Sequence, residues 1–101
     1  MAFFAVTTVH GPDWDDSRPI REQRAWDEHA AFMDGLVEDG LVLLGGPVGD
    51  GQQALLAMEA ADAGEIQARF TADPWVVADL LRIGLIQPWS IWLDGRPAPS
   101  S

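Results

Sequence analysis

Residues 41–60 read LVLLGGPVGDGQQALLAMEA, and the reading of this stretch decides the fold. Leu41-Val42-Leu43-Leu44 is a short continuous apolar run, the pattern of a buried strand, and it stops at Gly45-Gly46-Pro47. Gly49-Asp50-Gly51 carries the residues of a tight hairpin turn. The return segment 52–60, QQALLAMEA, is rich in Ala, Leu and Met and fits a helix as well as a strand. The turn immediately before it favours the strand. Two antiparallel strands therefore sit in the middle of the chain.

Working outward, residues 2–10 (AFFAVTTVH) are β-branched and aromatic and predict a first strand, ended by Gly11-Pro12. Residues 11–18 form an acidic loop. A helix is expected from Arg18 or Pro19 to about Asp39, with Ser17 as its N-cap and Gly40 closing its C-terminus. Trp26, His29, Ala30, Met33, Leu36 and Val37 recur at spacings of three and four and share one face. After the hairpin, Asp62 is placed to cap a second helix that carries Glu65, Ile66, Ala68, Arg69 and Phe70. Asp73-Pro74 starts a short helix over 74–81. A last long strand is expected over 83–93, with Pro88 placing it at a sheet edge or a bulge.

The order is β-α-β-β-α-β, the split βαβ or ferredoxin-like sandwich of the α+β class. A single domain over 1–95 and a loose Pro/Ser-rich tail over 96–101 are expected. Phe3, Phe4, Val6 and Val9 put bulk on both faces of the first strand, and Trp89, Ile91 and Trp92 do the same for the last. Helices cover only one face, so the other predicts a homodimer joined through sheet faces.

Composition narrows the chemistry. Sixteen acidic residues, six arginines and no lysine give a net charge of −10, which disfavours nucleic acid and anionic membrane surfaces. No apolar run approaches the roughly 20 residues of a membrane helix, and the apolar opening Met1–Val6 lacks a basic leader, so a cytoplasmic location is expected. Without Cys, Lys or Tyr there is no thiolate, Schiff base or phenol acid. Proton transfer near neutral pH falls to His10, His29 and perturbed carboxylates.

His29 is the anomaly, because it stands on the apolar stripe of the first helix where a core places Leu or Ile. A distant carboxylate that meets it in the fold would fix its tautomer; Asp73 is the candidate, although its place before Pro74 also makes it an ordinary helix cap. His10 follows the alternation of Phe4 and Val6 and is either a pocket residue or a surface histidine. Gly45-Gly46-Pro47 is either a plain turn or a place where backbone N–H groups approach a ligand. Trp75, Trp89 and Trp92 suit a pocket or an interface, Trp26 a core, and Trp14 a lid. Asp13, Asp15 and Asp16 do not have calcium-loop spacing and no HxxxH or HExxH pattern occurs, so no metal is expected.

These features together resemble the YciI-like (YCII-related) family. The matching elements are the inward His29 in DEHAAFMDGL, Gly40-Leu41, Gly45-Gly46-Pro47, Asp73-Pro74-Trp75 and Pro88-Trp89, spread over roughly residues 2–93. The resemblance implies a dimeric α+β barrel and an active site on His29 and Asp73; His10, Gly45, Gly46, Pro47 and Trp75 are the candidate substrate-binding residues beside that pair. Most members have no assigned reaction; a few similar domains act in dehalogenation or lactone-type chemistry on small organic acids and aromatics. One departure is that many members carry Arg three residues before the His, where this chain has Trp26. The expectation is a small enzyme without a cofactor, doing His/Asp acid–base chemistry on a small organic molecule. The alternative is a non-catalytic dimeric module for a small ligand or protein, and a cofactor-free monooxygenase shares the same fold class.

Overall fold

A computed structural model describes residues 1–97. The elements are β1 (Ala2–His10), a 3-10 turn (Ile20–Glu22), α1 (Trp26–Glu38), β2 (Val42–Val48), β3 (Gln53–Ala60), α2 (Ala63–Phe70), α3 (Pro74–Val77) and β4 (Leu81–Pro88). The strands form one antiparallel sheet in the order β2-β3-β1-β4. The chain is an α+β protein with a ferredoxin-like fold, as its hairpin and flanking helices predicted.

Three helix ends follow their local sequence. Asp62 caps α2 by accepting from the Glu65 N–H at 2.8 Å, and the Glu65 side chain returns a bond to the Ala61 N–H at 2.9 Å. Gly40, at φ +82°, lets α1 close through Leu41 N–H to Leu36 C=O at 2.9 Å. Asp79, at φ +61°, closes α3 in the same way, through Leu80 N–H to Trp75 C=O at 2.9 Å.

Four expected boundaries move. The first helix begins at Trp26 rather than near Arg18, because Ala25 is left-handed at φ 59° and residues 11–25 are held by a different device. The buried Gln23 side chain accepts from the Asp15 N–H and donates to the carbonyls of Asp15 and Arg18, which occupies the groups a helix there would need. Ser17 therefore bonds Asp15 and caps nothing. β2 does not stop at Gly45-Gly46-Pro47 but runs through them to Val48, with Gly45 opposite Leu56 and Gly46 opposite Leu55. Pro47 is tolerated because β2 is an edge strand. α3 ends at Val77 and β4 spans 81–88, not 83–93; Pro88 closes it and the chain leaves the edge after one further bond, Trp89 N–H to Phe3 C=O. Of the expected tail, residues 98–101 lie outside the described residues.

The core lies between the sheet and the helices. Phe4 and Val6 of β1, Leu56 and Met58 of β3, Leu36 of α1 and Ile66 and Phe70 of α2 are buried there. Val37, expected on the inner face of α1, is 54% exposed, and Phe32 packs inward instead. A second cluster of Trp75, Leu80 and Leu81, flanked by Trp14 and Trp26, gathers at one end. The opposite sheet face stays open, with Leu44, Leu55, Leu85 and Trp89 exposed.

Candidate functional site

His29 lies in the first turns of α1, where its N–H bonds the Ala25 carbonyl. Asp73 caps α3, accepting from the Trp75 N–H at 3.0 Å. Packing of α1 against α3 brings the two side chains together across 44 positions of sequence. His29 Nδ1 lies 2.9 Å from Asp73 Oδ1 and 3.0 Å from Oδ2, and the Asp73 side chain is wholly buried. A carboxylate only accepts, so the bond puts a proton on Nδ1 and leaves the lone pair of the neutral ring on Nε2. Asp73 thus serves as cap and as histidine partner at once.

Trp75 fixes the ring from one side. Its indole stacks on the imidazole at 3.8 Å between centroids and 6° between planes. The indole is itself held by a 2.7 Å bond from Nε1 to the Arg24 carbonyl. Trp26 leans on both rings at 5.6 and 6.1 Å. His29 can therefore neither rotate its proton to another partner nor tilt freely, which is the preorganisation an acid–base group needs.

A cavity of about 290 Å³ opens between the helices and the sheet at this end. His29, Trp26 and Met33 of α1, Thr8 and His10 of β1, Gly45-Gly46-Pro47 of β2, Leu56 of β3 and Trp75 border it. Six of the seven candidate site residues, His10, His29, Gly45, Gly46, Pro47 and Trp75, thus border one space, and Asp73 lies directly behind His29. Gly45 is needed for packing as much as for access, since a Cβ there would run into the Leu56 side chain. Trp14 forms a wall, stacked on His10 at 3.7 Å and edge-on to Trp75 at 5.3 Å. Trp89 and Trp92 do not join this space: Trp89 lies on the other sheet face and Trp92 is 90% exposed. Gln23, which holds the loop that carries Trp14, gave no signal in the sequence, because a glutamine in a polar loop looks solvated. Among the described residues no group of three or more His, Asp or Glu side chains converges as a metal site, and no helix is long and apolar enough to cross a membrane.

His10 is half-buried, and its Nδ1 is enclosed without a hydrogen-bond partner among the described residues. Burial pushes its pKa below the ordinary 6.5, against the opposing pull of the Asp16 carboxylate and the Gln52 side chain. The unfolded chain therefore binds a proton at His10 more readily than the folded one. The stability tied to this residue is complete above pH 6.5 and is lost as pH falls through that value toward the depressed folded pKa. Urea unfolding at a series of pH values should show this acid-side slope, and His10→Phe should flatten it. An unchanged slope in the variant would assign the effect elsewhere.

No family model matches the chain, and no curated protein matches it. The strand order and the helices on one sheet face define a small ferredoxin-like α+β protein, and six solved chains match it. One is 5-chloro-2-hydroxyhydroquinone dehydrochlorinase (TftG) from Burkholderia phenoliruptrix AC1100, in complex with 2,5-dihydroxybenzoquinone. The TM-score is 0.55 at 24% identity, over 89% of this chain and 94% of that one. The likeness is one of fold.

Proposed function

We propose that this protein is a YciI-like enzyme that moves a proton on a small organic molecule, with His29 as the acid–base group and no cofactor. The observation that carries the reading is the His29–Asp73 pair: a fully buried carboxylate, both oxygens on one ring nitrogen, and the ring at the edge of a cavity. The other ring nitrogen, Nε2, takes a proton from a C–H or O–H of the substrate. The electron pair so released forms a new double bond, and in an elimination the leaving group departs with its own pair as an anion. Asp73 stabilises the imidazolium that results. A dehydrochlorinase with this fold makes elimination the first reaction to test, ahead of isomerisation or lactone chemistry. Incubation with chlorinated hydroquinones should release chloride above the rate in buffer, and a rate equal to buffer across the panel would overturn the elimination.

One observation favours a non-catalytic ligand-binding module instead. The bond from the Trp75 N–H to Asp73 Oδ1 explains Asp73 as a cap without any chemistry. Asp73→Asn separates the readings, because Asn keeps the capping oxygen while removing the carboxylate from His29. Under the enzyme reading the variant folds and loses turnover.

The working unit is a homodimer joined through the open sheet faces. Leu44, Val48, Leu55, Leu85 and Trp89 are each more than a third exposed on the side of the sheet that no helix covers. In a chain of net charge −10, such apolar strands are the surface where two copies meet without repulsion. Light scattering after size exclusion at micromolar concentration should give twice the protomer mass, and Leu55→Glu should return it to the monomer. A wild-type monomer mass would overturn the dimer.

A further inference from the structure

We infer that the cavity at His29 selects uncharged, ring-sized molecules bearing hydroxyl or carbonyl oxygens and rejects carboxylates and phosphates. The inference rests on the proposal that His29 faces the substrate, and it names the class of substrate that proposal leaves open.

Size sets the first bound. About 290 Å³ lies at the lower end of small-molecule sites, with room for one ring and a few substituents. Trp14, Trp26, Trp75, Met33, Leu56 and Phe70 make most of the wall apolar and aromatic, which favours a flat apolar body. Thr8, His10 and His29 supply hydrogen bonds without a fixed charge, which suits hydroxyl and carbonyl oxygens.

Charge sets the second bound. An anion taken out of water needs a cation or several strong donors to replace its hydration. The sequence has no lysine, and none of its six arginines borders the cavity. Four lie on the surface against carboxylates: Arg18 with Asp15, Arg69 with Asp39, Arg82 with Asp79 and Arg96 with Asp94. Arg24 is exposed and reaches toward the Ala78 carbonyl, and Arg21 is exposed. The formal charge directly behind His29 is the negative one of Asp73, so even a protonated His29 forms a pair with no net charge to offer. The net charge of −10 adds a long-range field that turns anions away.

The test uses two ligands of one shape. 4-Hydroxybenzamide and 4-hydroxybenzoate differ in charge and hardly in size. Each is titrated into the intact protein at neutral pH, with binding read from tryptophan fluorescence and from the His29 ring signals in NMR. The amide should bind at least about tenfold more tightly, which corresponds to roughly 1.4 kcal/mol. Met33→Arg, which puts a cation at the wall, should reduce or reverse the preference. Equal or tighter binding of the benzoate by the wild type overturns the inference, and so does the absence of saturable binding by either ligand. The proton-transfer proposal fails on a different reading: His29→Gln would then turn over substrate like the wild type while the charge preference stood.

Discussion

Replacing His29 by Gln is expected to lower kcat/KM for chloride release from a chlorinated hydroquinone by roughly 10²–10⁴-fold, the range a positioned acid–base group contributes. Gln is the informative substitution because it fills much of the ring's volume and can still donate to Asp73, so folding is preserved while the basic nitrogen is lost. A thermal melt close to that of the wild type confirms that the loss is chemical. Unchanged turnover in His29→Gln would remove His29 from the chemistry. The same arithmetic limits the site, since a single acid–base residue accounts for only part of a typical enzymatic acceleration.

Replacing Asp73 by Ala is expected to cost the fold about 1.5–5 kcal/mol. Two losses combine. The Trp75 N–H at the start of α3 loses its cap, worth about 0.5–2 kcal/mol. The Nδ1–H of a His29 that is only 8% exposed loses its acceptor, and an unsatisfied buried donor costs about 1–3 kcal/mol. In a chain of 101 residues each kcal/mol lowers Tm by about 4–8 °C, so a fall of roughly 6–40 °C is expected. Asp73→Asn keeps the cap and should lose less stability than the Ala variant, although its turnover falls with that of the histidine variant. This split between stability and turnover distinguishes a carboxylate that works on His29 from one that only starts a helix. If Ala and Asn destabilise equally, the cap contributes little and the His29 contact carries the whole stability effect.

Much of the site was legible from local pattern. His29 stood out because the face of α1 is apolar and a histidine on it needs a partner. Asp73-Pro74 read as a helix start, and it is one, with Pro74 as the first helical residue. The hairpin at 49–51 placed two strands between the helices, and that order sufficed for the topology. Local reading failed where a long-range contact overrode it. Residues 18–25 have helical composition, yet Gln23 ties them into a loop by bonding backbone groups five to eight residues away. Gly45-Gly46-Pro47 has turn composition, yet pairing with Leu55 and Leu56 keeps it extended.

The sequence by itself determined the order of the elements, the Asp62 and Asp73 caps, the inward histidine and the lack of Cys, Lys and Tyr. These depend on periodicity and on neighbours within a turn or two, which a chain encodes locally. Only the tertiary structure decided that His29 and Asp73 meet, that both Asp73 oxygens fall on one nitrogen, and that Trp75 lies flat beneath the ring. It also decided that His10 and Trp14 close one side of the cavity while Trp89 and Trp92 belong elsewhere. A cavity is the space left between packed elements, and its lining depends on how α1 and α3 sit on the sheet. Sequence spacing carries no record of that distance.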